Sequence, residues 1–289
     1  MTKDIKKAIS MKKHFLAILA TICCMSCTNP MIDTEEDTKS ITFQLFERTE
    51  TPMTRASSSS DQYLLIIDEC NDTIMNVTPD GHTGANTLDN VTLHLKYGAH
   101  KLYFVTYDSP YKTLDLANLK LTWQKDTNKL KNVHTATKEI TVTNNTIANQ
   151  SIELERKVSL IEIKFTDEIP ANLAKIKMNI TGLSWTYDLK NNKGIDAGVY
   201  EETITEVSSI IGTTNTSLYV YTFIPETGVI GNYTITAYDS SDQVIKTQTI
   251  TGVSVTANKH ITYSGDFFSN DAPFSFTVND TWDTEDRNL

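Results

Sequence analysis

Cysteine is scarce in this sequence, and its four copies are unevenly placed. Cys23, Cys24 and Cys27 fall close together near the start, and Cys70 stands alone in the rest of the chain. A lone thiol cannot close an intramolecular disulfide, and cysteine and histidine nowhere cluster at zinc-site spacing. We therefore expect a fold held by its hydrophobic core, without metal or other cofactor, in which Cys70 is a small apolar residue at the end of a strand.

A membrane-spanning apolar run is also missing at the N-terminus. Residues 15–25 are apolar but fall short of the roughly 20 residues that a transmembrane helix needs. They follow the basic segment Met11-Lys12-Lys13-His14 and precede Ser26-Cys27. This plan is typical of a lipoprotein signal peptide, so we expect residues 1–26 to be cleaved and Cys27 to carry a lipid in the outer membrane. An ordinary signal peptide and an incidental cysteine cluster are the alternatives.

Positive charge is in deficit. Lysine and arginine number 26 against 36 acidic residues, which gives a formal net charge of −10. Cleavage before Cys27 would remove five lysines and one aspartate and bring the net charge to about −14. Phosphate groups repel so acidic a protein, which argues against nucleic acid as a partner and against a basic patch that binds anionic lipid.

Motifs of catalysis are absent as well. The sequence has no Gly-x-Ser-x-Gly elbow, glycine-rich phosphate loop or calcium loop, and no histidine pair at metal-ligand spacing. His94 lies mid-strand on the face opposite its two leucine neighbours and is expected to face solvent. Asp167 and Glu168 precede Pro170, which favours a turn over an acidic site. We therefore expect no catalytic residues and no enzyme activity, although acids that meet in space would keep a hydrolase as a third interpretation.

The aromatic residues admit two interpretations. Aromatic side chains that alternate along strands usually belong to the core. On a surface the same residues could stack against sugar rings, which keeps a glycan- or protein-binding surface lipoprotein as the alternative function. The residues concerned are Trp123, Trp185, Trp282, Tyr103, Tyr107 and Tyr111.

Strand patterns dominate the chain after the signal. The acidic stretch 27–40 cannot bury a core and is expected to be a flexible tether. Short segments rich in Thr, Val, Ile, Tyr and Phe then alternate with Asn, Asp, Gly and Ser clusters, beginning at Ile41–Phe46. Only Leu114–Lys120 has a helical pattern. The sequence therefore predicts an all-β fold of antiparallel sandwiches.

Chain length favours two such domains. About 250 residues of strand pattern exceed what one small sandwich needs. The polar stretch 143–150 is the best boundary. We expect an N-terminal β-sandwich domain at 41–148 and a C-terminal one at 149–289.

Four segments of the sequence point to a known family. They are Met53-Thr54-Arg55-Ala56, Leu154-Glu155-Arg156-Lys157-Val158, Leu218-Tyr219-Val220-Tyr221-Thr222-Phe223-Ile224-Pro225 and Tyr263-Ser264-Gly265-Asp266-Phe267-Phe268. Together they resemble the fimbrillin superfamily, which comprises fimbrial subunits, anchors and accessory lipoproteins of gut and oral anaerobes. The resemblance implies two transthyretin-like β-sandwich domains and a role as anchor or accessory subunit of a surface fimbrium, with other fimbrial subunits as partners.

The resemblance also implies a mode of assembly. In that family an arginine-specific protease removes the first strand of polymerising subunits, and a neighbour's C-terminal strand fills the groove by strand addition. Arg55 and Ala56 match the cleavage position and lie in a Ser-rich segment where proteolysis is expected, although an ordinary loop residue is the alternative. The end of this chain is polar after residue 278, unlike a donor strand, which favours an anchor or accessory subunit over a shaft subunit.

Overall fold

The structure is a computed structural model, and its described residues form an all-β fold without α-helix, as the sequence predicts. The described residues are 38–47, 63–69, 73–77, 90–125, 130, 132–269 and 273–279. The strands are β1 (Thr38–Glu47), β2 (Tyr63–Asp68), β3 (Thr73–Val77), β4 (Asn90–Lys96), β5 (Gly98–Tyr107), β6 (Thr113–Asp115), β7 (Lys120–Thr122), β8 (His134–Val142), β9 (Asn149–Arg156), β10 (Val158–Phe165), β11 (Lys175–Leu183), β12 (Thr186–Asp188), β13 (Lys193–Ile195), β14 (Gly198–Ile204), β15 (Thr216–Phe223), β16 (Asn232–Tyr238), β17 (Val244–Thr251), β18 (His260–Gly265) and β19 (Ser275–Asn279).

The first sandwich is a seven-stranded sheet that closes over itself. Its strand order is β3-β2-β5-β8-β9-β1-β4. β8 and β9 pair only at His134↔Arg156 and Thr135↔Glu155, so the sheet can bend there. The strands β9, β1 and β4 consequently pack against β2, β5 and β8 around one apolar cluster. The strand predicted at 41–46 is β1, and it begins earlier than expected, within the stretch assigned to the tether.

The second sandwich is built from two four-stranded sheets, ordered β15-β10-β18-β19 and β14-β11-β16-β17. Alternate residues of the facing strands, such as Ile161 and Ile163 on β10 and Met178 and Ile180 on β11, are buried between them. The outer face of the second sheet is polar, as period-two alternation requires.

The two sandwiches share a core. β2 is buried on both faces, with Leu64 and Ile66 in the first cluster and Leu65 and Ile67 in the larger cluster that fills the second sandwich. This double burial explains why β2 reads as a continuous apolar run. A small sheet of order β13-β12-β7-β6 also joins the two halves through the pairing of β7 with β12.

The polar stretch 143–150 connects β8 to β9. The strand β9, which the sequence prediction placed in the second domain, is hydrogen-bonded within the first sheet, and the chain enters the second sandwich at Val158. Turn residues mark a change of strand as readily as a change of domain, because both need polar groups exposed to water. The division into two independent domains stays a prediction.

The helix predicted at Leu114–Lys120 is wrong. The segment forms the hairpin β6–β7. The Asp115 carboxylate accepts hydrogen bonds from the backbone N–H (3.1 Å) and the side-chain amide (2.7 Å) of Asn118, and Leu119 takes a φ of 52°. An Asx turn of this kind satisfies the backbone locally and competes with a helix.

The hairpin β12–β13 repeats this construction. Asp188 accepts the equivalent hydrogen bonds from Asn191 at 2.9 and 2.8 Å, and Asn192 takes a φ of 55°. Both hairpins share the pattern Thr-x-Asp-Leu-x-Asn-x-Lys, which begins at residue 113 in one and at residue 186 in the other. The same eight-residue pattern therefore forms the same Asx turn at both places in this chain.

Glycine is required at position 194, and we expect Gly194→Ala to lower the free energy of unfolding by roughly 1–3 kcal/mol. An added Cβ would lie 2.8 Å from Cβ of Phe223 and 3.0 Å from the carbonyl oxygen of Ile224. Gly198 provides a matched control, since its Cβ would come no closer than 3.4 Å to Trp185. Chemical denaturation of both variants is the measurement, and equal losses would contradict the close packing at Gly194.

Candidate strand-insertion site

β1 lies between two strands that come much later in the chain. It pairs antiparallel with β4 from Thr38↔Lys96 to Gln44↔Asn90. It pairs parallel with β9, with Thr42 opposite Asn149. Both edges of β1 are therefore satisfied by hydrogen bonds, and the strand fills a gap in the sheet.

The inward side chains of β1 fill an apolar groove. Ile41, Phe43 and Leu45 alternate along the strand and are fully buried, and burial of each contributes about 1.5–3 kcal/mol. The Phe43 ring contacts the Phe104 ring at a centroid distance of 5.3 Å. We call the surroundings of these side chains the β1 groove. It is formed by Val91 and Leu95 of β4, Ile152 and Leu154 of β9, and Leu64, Ile66, Leu102, Phe104 and Val142 beneath.

The outward face of β1 is polar. The hydroxyl groups of Thr42 and Thr92 are hydrogen-bonded at 2.9 Å, and Ser40 Oγ lies 3.0 Å from Nδ1 of His94. His94 is exposed, which confirms the sequence prediction. These contacts fix the register of β1 without burying polar atoms in the groove.

A cavity of about 470 Å³ is lined by residues of β2, β3, β4 and β5 and borders β1 only at Thr38. His100 and Asp68 stand at its wall, joined by a hydrogen bond of 2.6 Å between Nδ1 and Oδ2. Nε2 of His100 donates to the carbonyl of Lys96 at 2.7 Å. The hydrogen bond to Asp68 raises the pKa of His100, which favours the imidazolium form that can donate at both nitrogens. This pair ties the β4–β5 turn to β2.

His134 lies at the bend between β8 and β9 and has the opposite electrostatics. Burial, reinforced by the charge of Arg156, lowers the pKa of His134 to about 3. Its Nδ1 donates to the carbonyl of Asn132 at 3.2 Å. The imidazole is therefore neutral in the folded protein across physiological pH.

The low pKa of His134 in the folded protein predicts that the free energy of unfolding depends on pH. The unfolded chain protonates His134 near pH 6.5, whereas the folded chain does so only near pH 3. The stability that neutral His134 provides is present above pH 6.5 and is lost by about 1.4 kcal/mol per unit as pH falls below it. We expect His134→Gln to flatten this slope between pH 6.5 and 4.5 in urea denaturation. The exposed control His94→Gln should keep the pH dependence of the wild-type protein. If His134→Gln keeps it as well, His134 is not the source of the pH dependence.

The residues that the sequence singled out are not all on the described part of the chain. Cys27, Arg55 and Ala56 lie outside the described residues, so the lipid and cleavage assignments stay predictions. In sequence, Arg55 falls within the connection between β1 and β2, and Cys27 precedes β1. Asp167 forms a bend, as predicted, where its carboxylate accepts backbone N–H groups of Phe267, Phe268 and Ser269.

The interpretation of the aromatic residues as core is confirmed for four of the six, which leaves the alternative of a sugar-stacking platform without them. Trp123, Trp185, Tyr103 and Tyr107 are buried in the core shared by the sandwiches. The Trp123 ring lies 6.1 Å from the Tyr107 ring and 5.3 Å from that of Phe223. Tyr111 is half-buried and Trp282 lies outside the described residues.

Sequence reasoning missed the buried acids and their partners. Among the described residues the buried carboxylates are Asp68, Glu162 and Asp188. The carboxylate of Asp68 contacts His100, and the carboxylate of Glu162 contacts His260. The carboxylate of Asp188 accepts the hydrogen bonds of the β12–β13 turn. No group of three potential ligands able to hold a metal ion occurs in the described residues. The described part of the chain also contains no helix long and apolar enough to span a membrane.

Comparisons with known proteins agree with this architecture. A family model described as a family of unknown function (DUF6562) matches residues 103–289. No curated protein sequence is significantly similar to the chain. A solved structure described as a candidate cell adhesion protein from Bacteroides ovatus is similar with a TM-score of 0.52 at 15% identity, over 86% of this chain and 99% of that one.

Two further solved structures are similar. Candidate polysaccharide-binding proteins (DUF1812) from Bacteroides thetaiotaomicron give a TM-score of 0.52 at 12% identity, over 85% of this chain and 96% of that one. A fimbrial assembly protein from Parabacteroides distasonis gives a TM-score of 0.43 at 12% identity, over 83% and 95%. At these identities the first two structures establish a common fold and nothing finer, and the third is too distant to support an argument.

Proposed function

The chain belongs to DUF6562, a family of unknown function, and on that premise we propose that it is a non-enzymatic surface lipoprotein that serves as anchor or accessory subunit of a fimbrium. It joins other fimbrial subunits by β-strand addition. The segments that resemble the fimbrillin superfamily support this proposal. The fold shared with a candidate adhesion protein of Bacteroides ovatus agrees with it.

The insertion of β1 is the observation that carries the proposal. β1 is an internal strand with three fully buried side chains, yet it is covalently joined to the body only through the connection 48–62. One cut in that connection, as at Arg55, would leave β1 held by hydrogen bonds and apolar contacts alone. Another extended strand of the same alternation could then take its place, because main-chain hydrogen bonds provide affinity and side-chain pockets provide register.

The order of Cys27, β1 and Arg55 along the chain couples membrane attachment to assembly. Cys27 and β1 lie on the same side of Arg55. An uncut chain keeps both its lipid and its closed groove, as an anchor at the base of a fimbrium would. A cut chain that released β1 would lose the lipid and gain an open groove together. In the anchor, the next subunit contacts other sheet edges. The C-terminal strand β19 forms one such edge.

The mature N-terminus of the protein from native cells tests the proposal. We expect intact mass and N-terminal sequencing to find an acylated Cys27, and deletion of the gene to change the number, length or attachment of surface fimbriae. A mature chain that begins at Ala56 would identify a tip or shaft subunit. Fimbriae unchanged by the deletion would refute a fimbrial role.

A surface glycan-binding lipoprotein is the second candidate. The name of the Bacteroides thetaiotaomicron structures favours it, whereas the burial of Trp123, Trp185, Tyr103 and Tyr107 removes the platform on which it was based. Retention of the purified chain on polysaccharide columns, together with normal fimbriae in the deletion strain, would favour this candidate over the first.

A further inference from the structure

Two copies of one turn lie side by side in the small sheet. The hairpins β6–β7 and β12–β13 carry the same eight-residue pattern, and the antiparallel pairing of β7 with β12 places both turns at one end of the sheet. The backbone N–H of Leu189 in the second turn donates to the carbonyl of Leu119 in the first at 2.9 Å. Equivalent residues of the two turns are two strands apart, a separation of about 9.5 Å. The sheet therefore presents one set of polar groups twice.

A pocket of about 400 Å³ opens where the two turns meet. Its wall is formed by residues 116–120 of the first hairpin, by Asp188, Lys190 and Asn191 of the second, and by Glu69, which follows β2. The volume falls within the range of ligand pockets. The two lysines of the wall balance its two carboxylates in charge, so the pocket offers no net attraction to an anion or a cation. A neutral ligand with many polar groups fits such a wall.

The two asparagines of the wall have fixed orientations. Asn118 donates one amide N–H to Asp115 at 2.7 Å, and Asn191 donates one to Asp188 at 2.8 Å. Each side-chain amide keeps a second N–H and an oxygen acceptor. Among the residues that the structure describes, none donates to the amide oxygen of either asparagine. A donor and an acceptor held side by side suit the hydroxyl groups of a sugar, because each hydroxyl both donates and accepts.

The rest of the wall also fits a sugar ring. The carboxylate of Glu69 accepts a hydrogen bond from the Tyr103 hydroxyl at 2.8 Å, and its other oxygen lies 3.4 Å from Nζ of Lys190. These contacts hold an acceptor and a donor in place before any ligand arrives, which lowers the entropic cost of binding. The half-buried Leu116 and the exposed Ala117 add apolar surface, against which the C–H face of a ring can pack.

We propose that this pocket binds a neutral polysaccharide, whose repeat places equivalent hydroxyl groups at Asn118 and Asn191. The separation of the two turns is comparable to one disaccharide unit of an extended polysaccharide chain. The inference rests on the second candidate function, glycan binding, and gives it a site away from the buried aromatic residues. It requires neither release of β1 nor a lipid at Cys27, so an anchor or accessory subunit can carry the same pocket.

Affinity electrophoresis of the full-length chain tests the class of ligand. Native gels contain dextran, galactomannan or arabinoxylan as neutral polysaccharides, and polygalacturonate as the acidic counterpart. We expect at least one neutral polysaccharide to retard the chain, and polygalacturonate to leave its migration unchanged. A chain that none of the three neutral polysaccharides retards would overturn both the pocket and the second candidate function. Retardation by polygalacturonate alone would overturn the neutral ligand.

A matched pair of substitutions locates the binding. Ala117→Arg places a long charged side chain in the pocket, whereas Ala197→Arg places the same side chain in the turn between β13 and β14, outside the pocket. Both alanines are exposed, so we expect both variants to keep the thermal midpoint of the wild-type protein. Ala117→Arg should weaken binding to the retarding polysaccharide by about tenfold or more, and Ala197→Arg by less than about twofold. Equal binding by the two variants would overturn the pocket and leave glycan binding standing.

Discussion

Phe43→Ala is expected to lower the free energy of unfolding by about 3–5 kcal/mol, because it empties the centre of the β1 groove. The Phe43 side chain is fully buried and its ring contacts Phe104 across the sandwich. Phe46, three residues further along β1, points outward and is only half-buried. Phe46→Ala should therefore cost less than about 1.5 kcal/mol. Urea denaturation of the two variants gives both values.

Hydrogen exchange distinguishes local release of β1 from general loss of stability. If Phe43→Ala weakens the docking of β1, the amides of β4 and β9 that face it should exchange faster, while those of β10 and β18 in the second sandwich should not. Uniform acceleration across both sandwiches would contradict a local opening. Similar losses in Phe43→Ala and Phe46→Ala would contradict the groove itself.

Glu162→Ala should destabilise the second sandwich by a similar amount, about 3–5 kcal/mol. Glu162 lies at the centre of the sheet, between β15 and β18. Its carboxylate accepts hydrogen bonds from Ser217 (2.5 Å) and Thr262 (2.9 Å) and lies 2.7 Å from Nε2 of His260. Truncation leaves these donors and a buried imidazole without their acceptor.

Two variants and a pH series complete this test. Burial alone would raise the pKa of Glu162, but hydrogen bonds from His260, Ser217 and Thr262 outweigh it and lower the pKa to about 2. The stability contributed by the carboxylate is therefore present above about pH 4.5 and lost as pH falls towards 2. Glu162→Gln should lose this acid dependence, and the exposed control Glu201→Ala should cost less than about 0.5 kcal/mol. Unchanged acid sensitivity in Glu162→Gln would rule out this role.

Sequence reasoning succeeded where the physics is local. Alternation located β1, β10 and most other strands, and it placed His94 on the outer face, because period two is a property of the strand itself. The helix at Leu114–Lys120 failed because a two-turn apolar pattern cannot distinguish a helix from a hairpin when an Asx turn is available. The repeated Thr-x-Asp-Leu-x-Asn-x-Lys pattern was the signal that could have corrected it.

What the sequence could not provide depends on pairing between distant strands. Nothing near Asp68 indicates that β5 will place His100 beside it, and nothing near Glu162 indicates His260. The parallel pairing of β1 with β9 could not be predicted either, because the sequence prediction placed β9 in the second domain. For the candidate site, the sequence identified the strand, and cleavage at Arg55 stays a prediction, whereas the groove required the register of β1.

The pairing of β1 with β9 also determines when the molecule can finish folding. The first strand to leave a ribosome or a translocation pore must wait for about a hundred further residues before its partner at Asn149 emerges. Closing so long a loop is entropically costly and slow. During that interval β1 can already pair with β4, and the edge of β1 that will face β9 is open to any other extended chain. The vulnerability of the nascent protein and the assembly of the mature one thus share a single origin, because both depend on the pairing of β1 with β9, which completes the sheet last.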